Sequence, residues 1–260
     1  MSTPRLPPGP RRLAAVLSAV AAGVVLLAGC GVAAQSAEPW PTTAVSGASP
    51  SAPATSALSP APPSPGAPAA PPSSSALAQL ATLPVKGRAP KTGYARSQFG
   101  QAWADVDHNG CDTRNDILKR DLSPSAVKPG THGCVIASGT LADPYTAKTI
   151  AFTRGPGTSS AVQIDHMVAL SDAWQTGAQQ LSAARRTALA NDPLNLLAVD
   201  GPANEQKGDG DAASWLPANT SYRCSYVARQ IAVKATYGLW VTRAEHDAMA
   251  GVLAHCAEPG

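Results

Sequence analysis

The sequence carries little net charge, few aromatic residues and no closely spaced cysteines. Its 260 residues have a formal charge of +3, and three of the arginines lie in the first twelve residues. None of the five cysteines forms a Cys-x-x-Cys pair, which disfavours a cysteine-built zinc site. The apolar run at 13–27 is shorter than a comfortable membrane span, and no internal repeat is visible. These absences disfavour a zinc module, a membrane-spanning protein and a repeat protein.

The N-terminus has the pattern of a bacterial lipoprotein signal peptide. Arg5, Arg11 and Arg12 precede the apolar run, and Leu-Ala-Gly then leads directly to Cys30. We therefore predict that residues 1–30 are a signal peptide and that lipid on Cys30 anchors the protein to a membrane outside the cytoplasm. An uncleaved anchor, a signal peptide cut elsewhere and a twin-arginine export route remain open alternatives.

The composition divides the rest of the chain into a linker and one domain. Residues 31–82 are rich in Pro, Ala and Ser, with almost no charge or aromatic residues up to about residue 75, which predicts a disordered tether. Residues 83–260 have the composition of a globular domain, and their length suits one hydrophobic core rather than two. We expect this domain to be monomeric.

Four cysteines remain once Cys30 is set aside, namely Cys111, Cys134, Cys224 and Cys256. An even number in an exported domain predicts two disulfides, for which three connectivities are possible. The sequence alone does not choose among them. Our working prediction pairs Cys111 with Cys134 and Cys224 with Cys256, because each bond then closes a local segment.

Hydrophobic periodicity predicts an α+β domain in which a small ββα core is wrapped by helices. Strands at 161–165 and 194–199 and a helix at 202–206 form this core. Further strands are predicted at 133–138 and 149–153, and helices at 97–104, 113–121, near 170, and at 182–190, 222–237 and 242–255. The last two helices are amphipathic, with core candidates Tyr226, Ile231, Val233, Met249 and Leu253.

Three motifs fall on the predicted ββα core. They are Gln-Ile-Asp-His-Met-Val-Ala-Leu at 163–170, Asn-Asp-Pro-Leu-Asn-Leu-Leu-Ala-Val at 191–199 and Asn-Glu-Gln-Lys-Gly-Asp at 204–209. In this order and spacing the chain resembles the HNH (ββα-metal, His-Me finger) endonucleases, and most of all their secreted actinobacterial branch. The resemblance extends over about residues 83–256.

The resemblance implies a role for each motif residue in phosphodiester hydrolysis. His166 is the general base, since histidine titrates near neutral pH. Asp165 and Asn204 hold the metal, and Asn195 supports the loop that orients His166. Lys207 and Arg154 are candidate phosphate contacts. The products would carry 5′-phosphate and 3′-hydroxyl ends.

Two departures from the broader family pattern bear on the metal. Asp165 precedes His166 where other members have a histidine pair, and Asn204 replaces a metal-binding histidine. Oxygen ligands favour one Mg²⁺ or Mn²⁺ over zinc. A second ion site, for Ca²⁺, is a weaker prediction at 105–116, where Asp105, Asp107, Asn109 and Asp116 follow the spacing of a calcium loop.

The sequence thus predicts an extracytoplasmic, metal-dependent HNH endonuclease acting on DNA or RNA. Its low net charge is unusual for a protein that contacts many phosphates, because such contacts are made mainly by Lys and Arg. Two alternatives therefore remain open. One is a non-catalytic surface lipoprotein that binds wall polymer or another protein, and the other is a hydrolase of a phosphodiester that is not nucleic acid.

Overall fold

The structure is a computed structural model that describes residues 73–256. The predicted signal peptide, Cys30 and most of the predicted tether lie outside these residues. The described elements are α1 (Ser73–Leu80), α2 (Thr113–Asp121), β1 (Leu122–Val127), β2 (Ile136–Ala142), β3 (Thr149–Thr153), β4 (Val162–His166), α3 (Leu170–Gln175), α4 (Ala183–Asn191), β5 (Leu196–Asp200), α5 (Gly201–Lys207), α6 (Arg223–Tyr237) and α7 (Arg243–Leu253). The domain is mixed α+β, as predicted. Within the described range no helix has the length and apolar character needed to cross a bilayer.

Helix α1 lies inside the segment that was predicted to be a disordered tether. Ala76 and Leu80 are buried in the main hydrophobic cluster, where α1 packs on α6 and α7. These two residues are four apart and so share one helix face. That short apolar stripe is enough to order a helix when a packed surface covers it. The folded domain therefore includes residues 73–82, and the boundary placed at Leu83 is wrong.

Strands β1, β2 and β3 form an antiparallel sheet in that order. Strand β1 was not predicted, because Pro124 interrupts its pattern and proline is tolerated mainly on edge strands. β1 is an edge strand of this sheet. Gly139 on β2 allows its close approach, since a Cβ there would lie 2.9 Å from the Leu122 Cβ.

Strands β4 and β5 form a separate antiparallel pair, and α5 follows β5 directly. Asp165 pairs with Leu197, and His166 pairs with Leu196 at the end of the ladder. Gly201 begins α5 where a Cβ would lie 2.0 Å from the Ser160 carbonyl oxygen, so only glycine fits. The Asp200 side chain caps the helix by accepting a hydrogen bond from the Ala203 amide. The order of two strands and a helix thus occurs where the sequence predicted it.

Helix α6 is the central packing element of the domain. All five predicted core residues of the C-terminal helices are buried, namely Tyr226, Ile231, Val233, Met249 and Leu253. Two disulfides join Cys111 to Cys134 and Cys224 to Cys256, which confirms the predicted pairing. The second disulfide ties the start of α6 to the residues after α7.

The helix predicted at 97–104 is only a 3₁₀ turn, Arg96–Phe99. Gly100 follows with a φ of +81°, which ends the turn. Trp103 also has a positive φ, +56°, a conformation that is unusual for a bulky residue. The segment 96–103 is therefore an irregular loop rather than a helix.

Candidate active site

A polar cleft of about 500 Å³ opens beside the ends of β4 and α5. We call it the polar cleft and define it by residues from three parts of the chain: Lys91 and Arg96 from the N-terminal loop, Asp165 and His166 from β4, and Asn204, Glu205 and Asp209 from α5 and the turn after it. The sequence-predicted Asp165, His166 and Asn204 therefore share one cavity. They meet there because β4 ends beside α5, which packs on both strands of the pair.

His166 is held by a backbone carbonyl. Its Nε2 lies 2.9 Å from the Ala190 carbonyl oxygen, which can only accept a hydrogen bond. In the neutral ring, Nε2 therefore carries the proton and Nδ1 carries the lone pair. Burial lowers the pKa of His166 to about 4, although the Ala190 carbonyl and Asp165 oppose the shift. The imidazole is therefore neutral at physiological pH.

Asn195 is buried and connects the loop after His166 to the end of α4. Its side-chain oxygen accepts a hydrogen bond from the Val168 amide at 2.9 Å, and its amide nitrogen donates to the Leu189 carbonyl at 3.1 Å. Its own carbonyl accepts from the Met167 amide at 2.7 Å. Since Ala190 follows Leu189, Asn195 fixes both the residues after His166 and the carbonyl that holds its ring.

The Asp165 carboxylate is paired inside the protein. The Lys207 ammonium lies 2.8 Å from each of its oxygens and also donates to the His166 carbonyl at 2.7 Å. The Tyr145 hydroxyl donates to Asp165 Oδ2 at 2.5 Å. Burial, followed by the charge of Asp165, raises the pKa of Tyr145 well above its ordinary value, so the hydroxyl stays a donor.

This pairing corrects the prediction for Lys207. Its side chain has no exposed surface, and all its ammonium contacts are within the protein. Lys207 lies three residues after Asn204, as the sequence showed, yet it contacts Asp165 rather than the open cleft. A direct contact between Lys207 and a substrate phosphate does not fit this arrangement.

Arg154 also differs from its prediction. Its guanidinium donates to the Ile136 carbonyl at 2.6 Å and to the Asn115 side-chain oxygen at 2.5 Å. It does not line the polar cleft. Arg154 thus joins the three-stranded sheet to α2 and does not reach the polar cleft.

Two basic residues that the sequence analysis did not select line the cleft instead. Lys91 donates to Asp209 Oδ2 at 2.9 Å, and this bond, together with one from Ser171, lowers the pKa of Asp209. Arg96 is exposed, and its guanidinium makes no hydrogen bond or ion pair with any of the described residues. No local motif marks either residue, because the loop that carries them reaches the site only through tertiary packing.

Asn204 is oriented by a short chain of amide contacts. Its side-chain nitrogen donates to Gln163 Oε1 at 2.8 Å, and Gln163 in turn donates to Glu205 Oε1 at 2.9 Å. The Asn204 side-chain oxygen accepts no hydrogen bond from residues 73–256. This leaves one amide oxygen available in the same cavity as Asp165 and His166.

The acidic loop at 105–116 makes bonds within itself. Asp105 accepts from the amides of Asn109 and Gly110, while the Asn109 side chain donates to Asp107 and Asp116. In the part of the chain that the structure describes, no three Asp, Glu, His or Cys side chains are grouped so as to hold a metal ion. The calcium site is therefore not supported by this geometry.

A second cavity, of about 400 Å³, lies on the other side of the shared residues Arg96, His166 and Leu170. We call it the aromatic pocket because Phe99 and Trp103 form part of its lining. The Trp103 and His166 rings are stacked, with centroids 6.1 Å apart and planes 16° apart. His166 therefore separates a polar cleft from a more apolar pocket.

Comparison with known proteins places the chain in a family. The family model described as GmrSD restriction endonucleases, C-terminal domain, matches residues 112–252, which include the strands and helix of the polar cleft. A protein of Arthroderma benhamiae described as an uncharacterized secreted protein is 36% identical over 184 residues, covering 70% of this chain and 85% of the relative. No solved structure gives a significant match. The chain therefore belongs to the nuclease family of GmrSD restriction endonuclease C-terminal domains.

Proposed function

We propose that the protein is a metal-dependent endonuclease of the HNH type, which hydrolyses phosphodiester bonds of DNA or RNA. The observation that carries the proposal is the state of His166. Its Nε2 is committed to the Ala190 carbonyl, so the unprotonated Nδ1 is the free basic atom, in a cavity shared with Asp165 and Asn204. A neutral imidazole with a fixed ring has a lone pair that can accept a proton, and its pKa of about 4 makes it a weaker base than an ordinary histidine.

In this mechanism His166 Nδ1 takes a proton from the attacking water. The water oxygen forms its bond to phosphorus as the bond to the 3′-oxygen breaks, and the leaving oxygen is protonated by water. This leaves 5′-phosphate and 3′-hydroxyl ends. Asn195 contributes by holding the loop after β4 and the Leu189 carbonyl, next to the Ala190 carbonyl that binds His166, so that the imidazole does not rotate away from the substrate.

The donor set in the polar cleft fits a hard divalent cation. Among residues 73–256, Asp165 Oδ1 accepts a hydrogen bond only from Lys207, and a carboxylate oxygen has two lone pairs. The Asn204 side-chain oxygen accepts none from the described residues. Asp165 and Asn204 would hold Mg²⁺ or Mn²⁺, for which oxygen ligands are preferred. When bound, the cation would supply Lewis-acid stabilisation of charge on the phosphate.

Lys207 and Tyr145 act on the substrate indirectly in this proposal. Both donate to Asp165, and together they hold its carboxylate at the end of β4. Removal of either donor would leave a buried carboxylate less well compensated. We therefore assign Lys207 as a positioning residue for Asp165.

Arg96 is the best placed residue for a direct phosphate contact. It is exposed, unpaired among the described residues and close to His166, whose pKa its charge helps to lower. Arg96 offers several donors to a phosphate, whereas the nearby Lys91 is already bound to Asp209. Arg96 thus takes the role that the sequence analysis gave to Arg154 and Lys207.

The location that we propose is outside the cytoplasm. Three observations support export. They are the N-terminal pattern ending at Cys30, the two disulfides and the description of the Arthroderma benhamiae relative as secreted. Lipid anchoring through Cys30 and membership of an actinobacterial branch stay predictions. Export would also keep nuclease activity away from the genome of the producing cell.

The function is tested by cleavage of plasmid DNA and of RNA with Mg²⁺, Mn²⁺ or EDTA, using the exported, disulfide-bonded protein. We expect metal-dependent cleavage that His166→Ala abolishes. His255→Ala is the matched control, because His255 is exposed at the end of α7 and bonds only to its own helix. Activity that survives His166→Ala in a folded variant would show that the base is misassigned. A folded wild-type protein that cleaves neither nucleic acid with any metal would refute the proposal.

A further inference from the structure

The aromatic pocket borders the proposed catalytic cleft. Arg96, His166 and Leu170 line both cavities, so a substrate phosphate beside His166 lies at the entrance to the pocket. A volume of about 400 Å³ is within the range of small-ligand sites, which runs from roughly 300 to 1,000 Å³. The pocket is therefore large enough for one nucleotide and too small for a stacked duplex.

The lining of the pocket suits the flat face of a nucleobase. Phe99 is buried, Trp103 is half-buried, and the indole lies nearly parallel to the His166 ring. Bases stack on aromatic side chains in single-strand binding sites without strong sequence preference. The Trp103 backbone is held at its positive φ by α2, since the Thr113 amide donates to its carbonyl. The Trp103 side chain also packs against the hydrophobic cluster that includes Ile117 and Leu118.

One residue that lines the pocket carries a buried polar atom without a partner among the described residues. Asn191 lines the cavity and is 1% exposed, and its side-chain oxygen accepts no hydrogen bond from residues 73–256. Its amide nitrogen donates to the Thr187 carbonyl at 2.9 Å. Because a carbonyl only accepts, this bond identifies the nitrogen end of the amide and therefore also the oxygen end. A buried acceptor left unpaired costs about 1–3 kcal/mol. A base with an amino or imino N–H group would recover part of that cost if Asn191 turns this oxygen toward the pocket.

We propose that the aromatic pocket binds one unpaired nucleobase next to the scissile phosphate, with Trp103 as its stacking surface. This inference rests on the proposed nuclease function and makes it more specific: the preferred substrates are single strands or unpaired segments of nucleic acid. A paired base reaches such a pocket only after it is rotated out of the helix, which costs unpairing and unstacking energy. Cleavage of duplexes is therefore slower than cleavage of single strands.

The first test uses single-stranded DNA and RNA that carry one abasic residue, with the matching duplexes as further substrates. On the wild-type protein we expect the bond beside the abasic position to be cleaved about 5- to 150-fold more slowly than the same bond in an intact strand. The expected penalty disappears in Trp103→Ala and persists in Trp103→Phe, which keeps an aromatic face. An equal rate at abasic and intact positions in the wild-type protein would overturn the proposal.

A second variant and a binding assay keep the test independent of folding and of catalysis. Ala102→Phe fills the pocket while Trp103 stays in place, and we expect it to lower affinity for intact single strands to that for abasic strands. Affinity is measured in EDTA by fluorescence anisotropy of labelled oligonucleotides, so no cleavage is required. An abasic penalty in binding without any metal-dependent cleavage would refute the nuclease function and leave the base pocket supported. Cleavage without an abasic penalty would support the nuclease function and refute the base pocket.

Discussion

The ammonium of Lys207 lies 2.8 Å from both carboxylate oxygens of Asp165. Neither side chain is more than 5% exposed. The third ammonium contact is the His166 carbonyl, so the three donors of Lys207 are all used at the end of β4. This pair fixes the candidate metal ligand and the residue that follows it, and it makes Lys207 part of the support of the site.

Lys207→Met should destabilise the domain strongly. Removing one partner of a buried ion pair leaves an uncompensated charge, which costs about 3–5 kcal/mol. Lys91→Met is the control, because its pair with Asp209 is about half-exposed and such pairs contribute about 0–1 kcal/mol. Urea denaturation measures both free energies of unfolding. Equal losses in the two variants would contradict the structural role given to Lys207.

Asn195→Ala should lower activity more than its loss of stability explains. The substitution frees the Val168 amide and the carbonyl beside Ala190, so the His166 ring is no longer held in one orientation. Misplacement of a catalytic group by about 1 Å costs on the order of 10²-fold in rate. Asn219→Ala, which also removes a bond to a backbone carbonyl, lies outside the polar cleft and should keep its rate. A kcat for Asn195→Ala within about twofold of wild type would refute this positioning role.

Arg96→Ala should weaken substrate binding. It should also make that binding less sensitive to salt concentration. Each phosphate contact that is lost reduces the slope of log K against log salt by about 0.7 to 0.9. Stability should not change, because Arg96 is exposed and unpaired among the described residues. Arg243→Ala on the exposed start of α7 serves as the control. Anisotropy titrations at several salt concentrations measure the slopes, and an unchanged slope in Arg96→Ala would remove this residue from the site.

Stability should fall between about pH 4.5 and pH 7 through Glu245. Burial raises the pKa of Glu245 to about 7, with Lys234 opposing and Asp172 adding to the shift. The folded state therefore binds this proton more tightly than the unfolded state, and the stabilisation, complete below pH 4.5, is lost as pH rises through 7. Asp211 and Arg88 also belong to this charge cluster. The cluster therefore has two cations, Arg88 and Lys234, and three carboxylates, Asp172, Asp211 and Glu245.

Glu245→Gln isolates this effect, because glutamine keeps the shape without the titration. The free energy of unfolding of the wild type minus that of the variant should be highest near pH 4.5 and lowest above pH 7. Thermal unfolding across this range measures the difference. A gap between wild type and variant that stays constant with pH would show that Glu245 does not titrate in the folded domain over this window.

Local pattern was sufficient for the order of the elements around the site. The 161–165 and 194–199 strands and the 202–206 helix were recognised within one or two residues of β4, β5 and α5, because alternation and capping residues act over short distances. The disulfide pairing also followed from local closure. Composition does not indicate α1, since the apolar stripe of Ala76 and Leu80 is too short to predict a helix without the surface that covers it.

By itself, then, the sequence determined an α+β domain in which Asp165, His166 and Asn204 meet beside two strands and a helix. Only the tertiary structure decided which cations face them. Lys and Arg have long, flexible side chains whose partners depend on the packing of distant segments. Packing turned Lys207 inward onto Asp165, tied Arg154 to Asn115, and brought Arg96 and Trp103 to His166 from a loop about seventy residues earlier in the chain.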